Sequence, residues 1–337
     1  MDDALETPLI NLQPVANAQH AWVAMLLHAP VDPPAATLGH LFDELGLADA
    51  LDGLPCVVPG AAAPASAAER LRRMTAATYD AEAERIAPPP ASGADEPSLA
   101  LGVNGYAAFD TCKTAGYAWF AGTYALHPAP DNAPRDTARH AMVLQLLTLI
   151  THDADTREIE GLIKRDAQLS YQLLRLVNSV AFSPGKKITS FGQAITMLGR
   201  LQLQRWLQLL LYARPAGAGP SALLPRAAYR AAFMEALFPP KLAERAFMAG
   251  MFSLLDVMLR ERMGRIVAPL HLAEDISKAL LERGGPLGPA LIAIENAERA
   301  DHDALAASLG EAGIDIPTWT GAMIRACHWT VRVSHEA

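Results

Sequence analysis

Two His-Asp dipeptides, His152-Asp153 and His302-Asp303, are the residues of this sequence that could bind a catalytic metal. Metal-assisted hydrolysis requires several His and Asp side chains that converge on one cation. Neither pair has a second histidine three or four residues away, the spacing that places two ligands on one face of a helix. The sequence therefore predicts no metal site, no catalytic residue and no bound cofactor.

Motifs for other chemistry are also missing from the sequence. The chain contains no G-x-G-x-x-G or G-x-x-x-x-G-K-[ST] loop that would bind phosphates, and no serine lies in a G-x-S-x-G elbow. The three cysteines, Cys56, Cys112 and Cys327, are widely spaced and odd in number. They indicate buried, unreactive thiols in a reducing compartment rather than a disulfide framework.

Charge is divided unevenly along the chain. Residues 1–135 include 6 basic and 16 acidic residues, whereas residues 136–337 include 22 basic and 20 acidic residues. An acidic first half repels phosphate backbones, and the basic residues of the second half are interspersed, so we expect no nucleic-acid partner. No apolar stretch reaches the roughly 18 residues of a membrane span, and the acidic N-terminus is unlike a secretory signal. We therefore expect a cytoplasmic protein with no membrane contact.

The predicted secondary structure that would position any site changes at residues 128–134, which form a proline-rich linker. Before it, compact apolar runs alternate with helix-like segments, which is typical of βαβ units and a parallel sheet. The predicted strands are 22–27, 54–58 and 98–103, and the predicted helices are 35–51, 66–86 and 107–120.

After the linker, the periodicity is that of helices only. Asp155 and Glu158 form a predicted capping pair, and Ile195, Leu198 and Leu201 are predicted to face the core of a later helix. The remaining predicted helices are 222–237, 241–262, 272–283, 289–299, 303–309 and 318–333. The second half is thus predicted to be an all-helical bundle.

Part of this helical half resembles the signature of HDOD domains. The matching residues are 159–166, Leu169-Ser170, Leu173-Leu174-Arg175, Asn178-Ser179, Phe182, Ile188, Ser190 and 194–199, with Ala167 where the family usually has proline. Residues 250–256 and 282–288 are similar to the subgroup in which HDOD follows an EAL domain. The resemblance implies a domain related to HD phosphohydrolases that has lost the metal ligands.

The first half resembles the end of an EAL domain, the fold of cyclic-di-GMP phosphodiesterases, through residues 109–124. Ala121 stands where that family has its site glutamine, and residues 1–130 lack both the Glu-Ala-Leu strand motif and the Asp-Asp metal pair. About 130 residues are also too few for an eight-stranded barrel of ~250. The tripeptide Glu235-Ala236-Leu237 lies in the helical half, where we interpret it as coincidence.

These observations predict a partial, degenerate EAL-like α/β domain over residues 1–130 and an all-α HDOD domain over 136–337. The predicted function is non-enzymatic signalling or regulation through contacts of the HDOD domain with other signalling proteins. A cyclic-di-GMP sensor without hydrolysis and an HD-type metal phosphohydrolase are the alternatives, although the acidic first half argues against nucleotide binding. The candidate interaction surface consists of Arg175, Asn178, Ser179, Lys186 and Lys187.

Overall fold

A computed structural model of the chain describes residues 8–29, 35–59, 71–89, 97–127, 137–166, 169–170, 173, 191–212 and 222–336. The chain divides into two compact units. The first unit comprises residues 1–131, 214–264 and 273–337, and the second comprises 132–213 and 265–272. None of the helices formed by the described residues is long and apolar enough to cross a lipid bilayer.

The first unit contains a seven-stranded sheet. Its strands are β1 (Asn11–Asn17), β2 (Trp22–His28), β3 (Cys56–Pro59), β4 (Leu71–Met74), β5 (Ala76–Thr78), β6 (Leu99–Leu101) and β7 (Trp119–Ala121). They lie in the order β4-β3-β2-β1-β7-β6-β5. The two edge strands, β4 and β5, follow each other along the chain with only Thr75 between them, so the sheet is nearly closed and barrel-like.

The predicted fold class is therefore wrong for the first half of the chain. Instead of three parallel strands, the sheet has seven, and β1 is antiparallel to both of its neighbours, β2 and β7. Residues 66–86 were predicted to be a helix from their Ala, Glu and Arg content, but residues 71–78 form β4 and β5. Pairing with β3 and β6 outweighs the intrinsic helix propensity of this segment.

Short helices accompany the strands. They are α1 (Ala35–Gly39), which continues as a π-helical turn over His40–Glu44, α2 (Leu47–Leu51) and α3 (Tyr106–Thr114). The helix predicted over 35–51 is thus broken, because Gly46 has a positive φ of 77° between the two pieces. The helix predicted over 107–120 ends at Thr114, and its last residues enter β7 instead.

Seven helices complete the described part of the first unit. They are α7 (Leu224–Leu237), α8 (Pro240–Phe252), α9 (Leu255–Leu259), α11 (Glu274–Glu282), α12 (Gly288–Glu298), α13 (His302–Ala312) and α14 (Ile316–Glu336). Glu235, Ala236 and Leu237 end α7, which confirms that this tripeptide belongs to a helix. Trp319 of α14 is fully buried, lies 4.4 Å from the ring of Phe233, and donates its indole N–H to the Ile10 carbonyl at 3.2 Å.

The second unit is helical in its described residues. It contains α4 (Thr137–Thr151), α5 (Thr156–Ile163), α6 (Phe191–Tyr212) and α10 (Met263–Val267), the last of which begins just before the unit boundary. Asp155 caps α5 by accepting a hydrogen bond from the Arg157 backbone N–H at 2.8 Å, as its position predicted. The core of this unit includes Val143, Leu146, Ile159, Ile163, Leu169, Leu173, Leu203 and Leu207.

A kink in α6 changes which of its side chains are buried. Ile195 and Leu198 are buried as predicted, but Leu201 is 45% exposed. Gly199 lies between them with a non-helical backbone (φ 74°, ψ 162°). The prediction that Leu201 faces the core is wrong because it assumed one uninterrupted helical period across this glycine.

Candidate functional site

The carboxyl ends of six strands meet at one edge of the sheet. β2 is parallel to β3 and β4, β7 is parallel to β5 and β6, and β1 is antiparallel to both groups. Because β1 runs in the opposite direction, its first residues lie at this carboxyl edge, where Asn11 pairs with His28. In α/β barrels and parallel sheets, ligands bind at the carboxyl edge.

The inner face of the sheet is apolar in the middle and polar at the carboxyl edge. Val15, Leu26, Val57, Met74, Leu99 and Ala121 form a buried apolar cluster with residues from most strands. Gln13 precedes Val15 by two residues, and His28 follows Leu26 by two, so alternation places both on this same face. Asn11 and Gln13 are nevertheless buried, at 2% and 5% exposure. Buried polar side chains require hydrogen-bond partners.

Those partners come from the end of α12. Asn11 Nδ2 donates to the Ala297 carbonyl at 2.5 Å, and Gln13 Nε2 donates to the Glu298 carbonyl at 2.7 Å. These side chains therefore satisfy carbonyl groups at the carboxyl terminus of a helix, where no intrahelical donor remains. α12 thus covers the carboxyl edge beside β1.

His28 completes this part of the edge. Its Nε2 lies 3.1 Å from Gln13 Oε1, and its ring centroid lies 6.3 Å from that of His302. Burial, and secondarily the charge of His302, lower the pKa of His28 from 6.5 to about 4. His28 is therefore neutral at physiological pH, with the Nε2 hydrogen directed to Gln13.

Two arginines of α7 bring positive charge to the same edge. Arg230 is 3% exposed and forms a bidentate ion pair with Glu298, with distances of 2.8 Å for Nε–Oε1 and 2.6 Å for Nη2–Oε2. Its Nη1 donates to Ser253 Oγ at 2.9 Å and lies 3.4 Å from Glu295 Oε1. Glu295 also pairs with Arg283, at 2.9 Å. Arg230 is thus fully compensated by carboxylates.

Arg226 lies one helical turn before Arg230 and has a different environment. It is 4% exposed, and its Nη2 donates to the Gly122 carbonyl at the end of β7 at 2.5 Å. Among the described residues, its Nη1 has no hydrogen-bond partner and no carboxylate lies within ion-pair distance. Burial lowers the pKa of Arg226, while the charge of Glu298 opposes this.

Glu298 is the buried carboxylate that faces both arginines. Burial alone would raise its pKa, but the charge and hydrogen bonds of Arg230, together with the charge of Arg226, outweigh burial and hold the pKa below its usual value. Glu298 is therefore ionised at neutral pH. Among the described residues, the edge thus holds the buried charges of Arg226, Arg230 and Glu298, together with Glu295, which is 17% exposed and also pairs with Arg230.

Gly122 is required for this arrangement. Its φ is +151°, and a Cβ at this position would overlap the backbone of Val103. Val103 donates its N–H to the Ala121 carbonyl at 3.0 Å and accepts from the Tyr124 N–H at 2.9 Å. Val103 uses its own N–H and carbonyl in these backbone hydrogen bonds. The Gly122 carbonyl accepts the hydrogen bond from Arg226 Nη2.

The residues that the sequence singled out do not form this site. His302 lies near it, whereas Asp303 is exposed on α13. His152 and Asp153 lie in the second unit, where His152 Nδ1 is 2.9 Å from the Thr148 carbonyl. No group of three or more His, Cys, Asp or Glu side chains within the described ranges could hold a metal ion. The predicted surface residues Arg175, Asn178, Ser179, Lys186 and Lys187 lie outside the described residues.

The three cysteines are all free and buried, as expected. Burial raises the pKa of the Cys327 thiol to about 12. The sequence reasoning did not identify Arg226, Arg230 or Glu298. One sequence pattern could have indicated them. Arg226 and Arg230 are four residues apart in α7, which is rich in Ala, Phe and Tyr, and this spacing places both on one face of the helix.

Comparison with known proteins adds family information. Residues 138–255 match the HDOD domain family, so the chain contains an HDOD domain, as its signature predicted. The chain is 30% identical over 227 residues to cyclic di-GMP phosphodiesterase CdgJ of Vibrio cholerae, covering 66% of this chain and 52% of CdgJ. It is 33% identical over 132 residues to the uncharacterized protein YuxH of Bacillus subtilis, covering 37% of this chain and 32% of YuxH. No solved structure matches the chain.

The chain therefore spans about half the length of CdgJ and about a third of YuxH. The similarity to a protein named as a phosphodiesterase contradicts our prediction that this chain is not an enzyme, and we withdraw that prediction. The resemblance of the first half to an EAL domain stays a prediction.

Proposed function

We propose that this chain takes part in cyclic-di-GMP signalling and that its HDOD domain acts by binding other signalling proteins. The similarity to CdgJ supports the first part of the proposal. The HDOD match over residues 138–255 is the observation that carries the second part. An origin of the first half from an EAL domain fits the same signalling context, and residues 109–124 support it.

The described surface of the HDOD domain suits such contacts. Met197 and Leu201, on either side of Gly199 in α6, are 41% and 45% exposed. Single exposed apolar side chains are ordinary, and these two each provide apolar area on the same helix that a partner can bury. By sequence, the predicted surface formed by Arg175, Asn178, Ser179, Lys186 and Lys187 belongs to the same domain.

Affinity capture from lysate with the full-length protein tests this proposal. Proteins retained by the wild type are identified and quantified, and the same proteins are measured with Met197→Glu/Leu201→Glu and with Lys186→Glu/Lys187→Glu. Leu281→Glu is the matched control, since Leu281 is 49% exposed and lies outside the HDOD match. We expect the control to retain the partners and at least one double variant to lose them. Equal retention by all four proteins would contradict the proposal.

A second candidate function is binding or cleavage of cyclic-di-GMP by the first unit. The name of the relative CdgJ favours it, and two buried arginines, Arg226 and Arg230, lie at the carboxyl edge. Incubation with cyclic-di-GMP and Mg²⁺ or Mn²⁺ tests cleavage, because the linear product is readily separated. Product formation proportional to protein concentration supports cleavage. No product beyond that of a heat-inactivated control, together with no binding by calorimetry, would exclude this candidate.

A further inference from the structure

Two exposed histidines lie close together in the second unit, although they are more than one hundred residues apart in the sequence. His152 follows α4, and His271 follows a 3-10 turn over Ala268–Leu270. Their ring centroids are 5.9 Å apart, and the ring planes are nearly perpendicular, at 86°. Both residues belong to the second unit, so this contact joins the segment 265–272 to the end of α4 within that unit.

The hydrogen bonds of the two rings fix their tautomers. His152 Nδ1 lies 2.9 Å from the Thr148 carbonyl, and His271 Nδ1 lies 3.0 Å from the Pro269 carbonyl. Because a carbonyl oxygen only accepts hydrogen bonds, Nδ1 carries the hydrogen in each ring, and Nε2 of the neutral imidazole has the free lone pair. No described residue forms a hydrogen bond with either Nε2. Metal-binding histidines have this arrangement, in which a backbone carbonyl orients the ring and the other nitrogen binds the ion.

The separation of the rings suits one shared ion. A zinc–imidazole bond of about 2.0–2.1 Å places the ion roughly 3.2 Å from each ring centroid, so two rings that share an ion have centroids at most about 6.5 Å apart. The observed 5.9 Å is within this limit. Both side chains are exposed, so small rotations of the rings can direct both Nε2 atoms to the ion.

The electrostatic environment of His152 also favours a cation. His152 lies at the carboxyl terminus of α4, a helix of 15 residues whose last carbonyl groups give this end a partial negative charge. The neighbouring Asp153 carboxylate is 89% exposed and lies 3.8 Å from Arg200 Nε. Because Arg200 shares this carboxylate, we do not assign Asp153 as a ligand. This agrees with the lack of any cluster of three or more metal-binding side chains among the described residues.

We propose that His152 and His271 bind a divalent first-row transition-metal ion such as Zn²⁺ through their Nε2 atoms, and that this ion fastens the segment 265–272 to the end of α4. Imidazole nitrogen suits these ions, whereas Mg²⁺ and Ca²⁺ prefer oxygen ligands. Water occupies the remaining coordination positions. The site does not depend on a role in cyclic-di-GMP signalling, and His271 lies outside residues 138–255, which match the HDOD family.

Calorimetric titration of the tag-free, full-length protein with ZnCl₂ tests the site, with MgCl₂ and CaCl₂ as control ions. The proteins are the wild type, His152→Gln, His271→Gln, the double variant and the control His328→Gln, which removes an exposed histidine of α14. The thermal unfolding midpoint is measured with and without ZnCl₂, because an ion that binds only the folded protein raises the midpoint. The midpoints without ZnCl₂ also show whether each variant is folded.

We expect the wild type and His328→Gln to bind about one Zn²⁺ per chain and to show no saturable heat with Mg²⁺ or Ca²⁺. Each single variant should bind Zn²⁺ at least about tenfold more weakly, and the double variant should be about as weak, because loss of either ring abolishes chelation. Zn²⁺ should raise the midpoint of the wild type and of His328→Gln more than that of the three variants. No saturable binding by the wild type, wild-type affinity of either single variant, or a double variant much weaker than both single variants would overturn the inference.

Discussion

Arg230 and Glu298 form a buried bidentate ion pair that joins α7 to the end of α12. Both side chains are nearly inaccessible, at 3% and 5% exposure, and the two hydrogen bonds measure 2.8 and 2.6 Å. The backbone of the same Glu298 accepts a hydrogen bond from Gln13 of β1. This pair therefore ties two helices and the sheet together at the carboxyl edge.

Replacement of Arg230 by Met should strongly destabilise the protein. The substitution leaves the buried Glu298 carboxylate without its main partner, and losing one member of a buried pair costs about 3–5 kcal/mol. Urea unfolding followed by circular dichroism measures the change in free energy of unfolding. The control is Arg245→Met, whose exposed ion pair with Asp275 should contribute below about 1 kcal/mol. Similar losses for the two variants would contradict the importance of the buried pair.

Stability should also fall as His28 becomes protonated. Its pKa is lowered from 6.5 to about 4 in the folded state, so folding favours the neutral form. The resulting stabilisation is present above pH 6.5 and is lost as the pH falls from 6.5 towards 4; it amounts to at most about 3 kcal/mol, since the ring is partly accessible. We expect His28→Gln to lose less stability than the wild type over this range.

The matched control for this measurement is His328→Gln, because His328 is exposed on α14. The free energy of unfolding is measured for all three proteins between pH 7 and pH 4. The wild type and His328→Gln should show the same slope, and His28→Gln a shallower one. Parallel curves for all three would show that His28 does not titrate as its environment indicates.

Gly122 should not tolerate a side chain. Its φ of +151° and its contact with the Val103 backbone oppose any Cβ, and the unfavourable backbone conformation alone costs about 1–3 kcal/mol. Gly122→Ala should therefore lower the thermal unfolding midpoint. Gly39→Ala is the control, since Gly39 is helical with free space around it and should gain up to about 1 kcal/mol. Equal midpoints for Gly122→Ala and the wild type would contradict the close backbone approach.

The helical half was predictable from the sequence because its signals are local. Asp155 is a helix cap, and the observed ends of α7, α11, α12 and α14 lie within about three residues of the predicted ends, because Pro and Gly separate these helices. Leu201 was misplaced because one glycine, Gly199, interrupts the helical period. The HDOD signature depends on the same short spacings.

The sheet and the candidate site were not predictable because they depend on distant partners. β1 contains Pro14 and polar residues, so it lacks the apolar run that identified β2. β4 and β5 form only because β3 and β6 offer them backbone partners. The burial of Arg226 and Arg230 depends on Gly122 and Glu298, which lie 104 and 68 residues away. No short-range pattern encodes such contacts.

Calorimetric titration of the full-length protein with cyclic-di-GMP is the most direct test of a role of this chain in binding cyclic-di-GMP. The measurement is made with Ca²⁺ in place of Mg²⁺ to slow any cleavage, and with GMP as the control ligand. We predict a saturable heat with about one cyclic-di-GMP per chain and at least tenfold weaker binding of GMP. No saturable heat up to millimolar cyclic-di-GMP, or equal binding of GMP, would contradict this role.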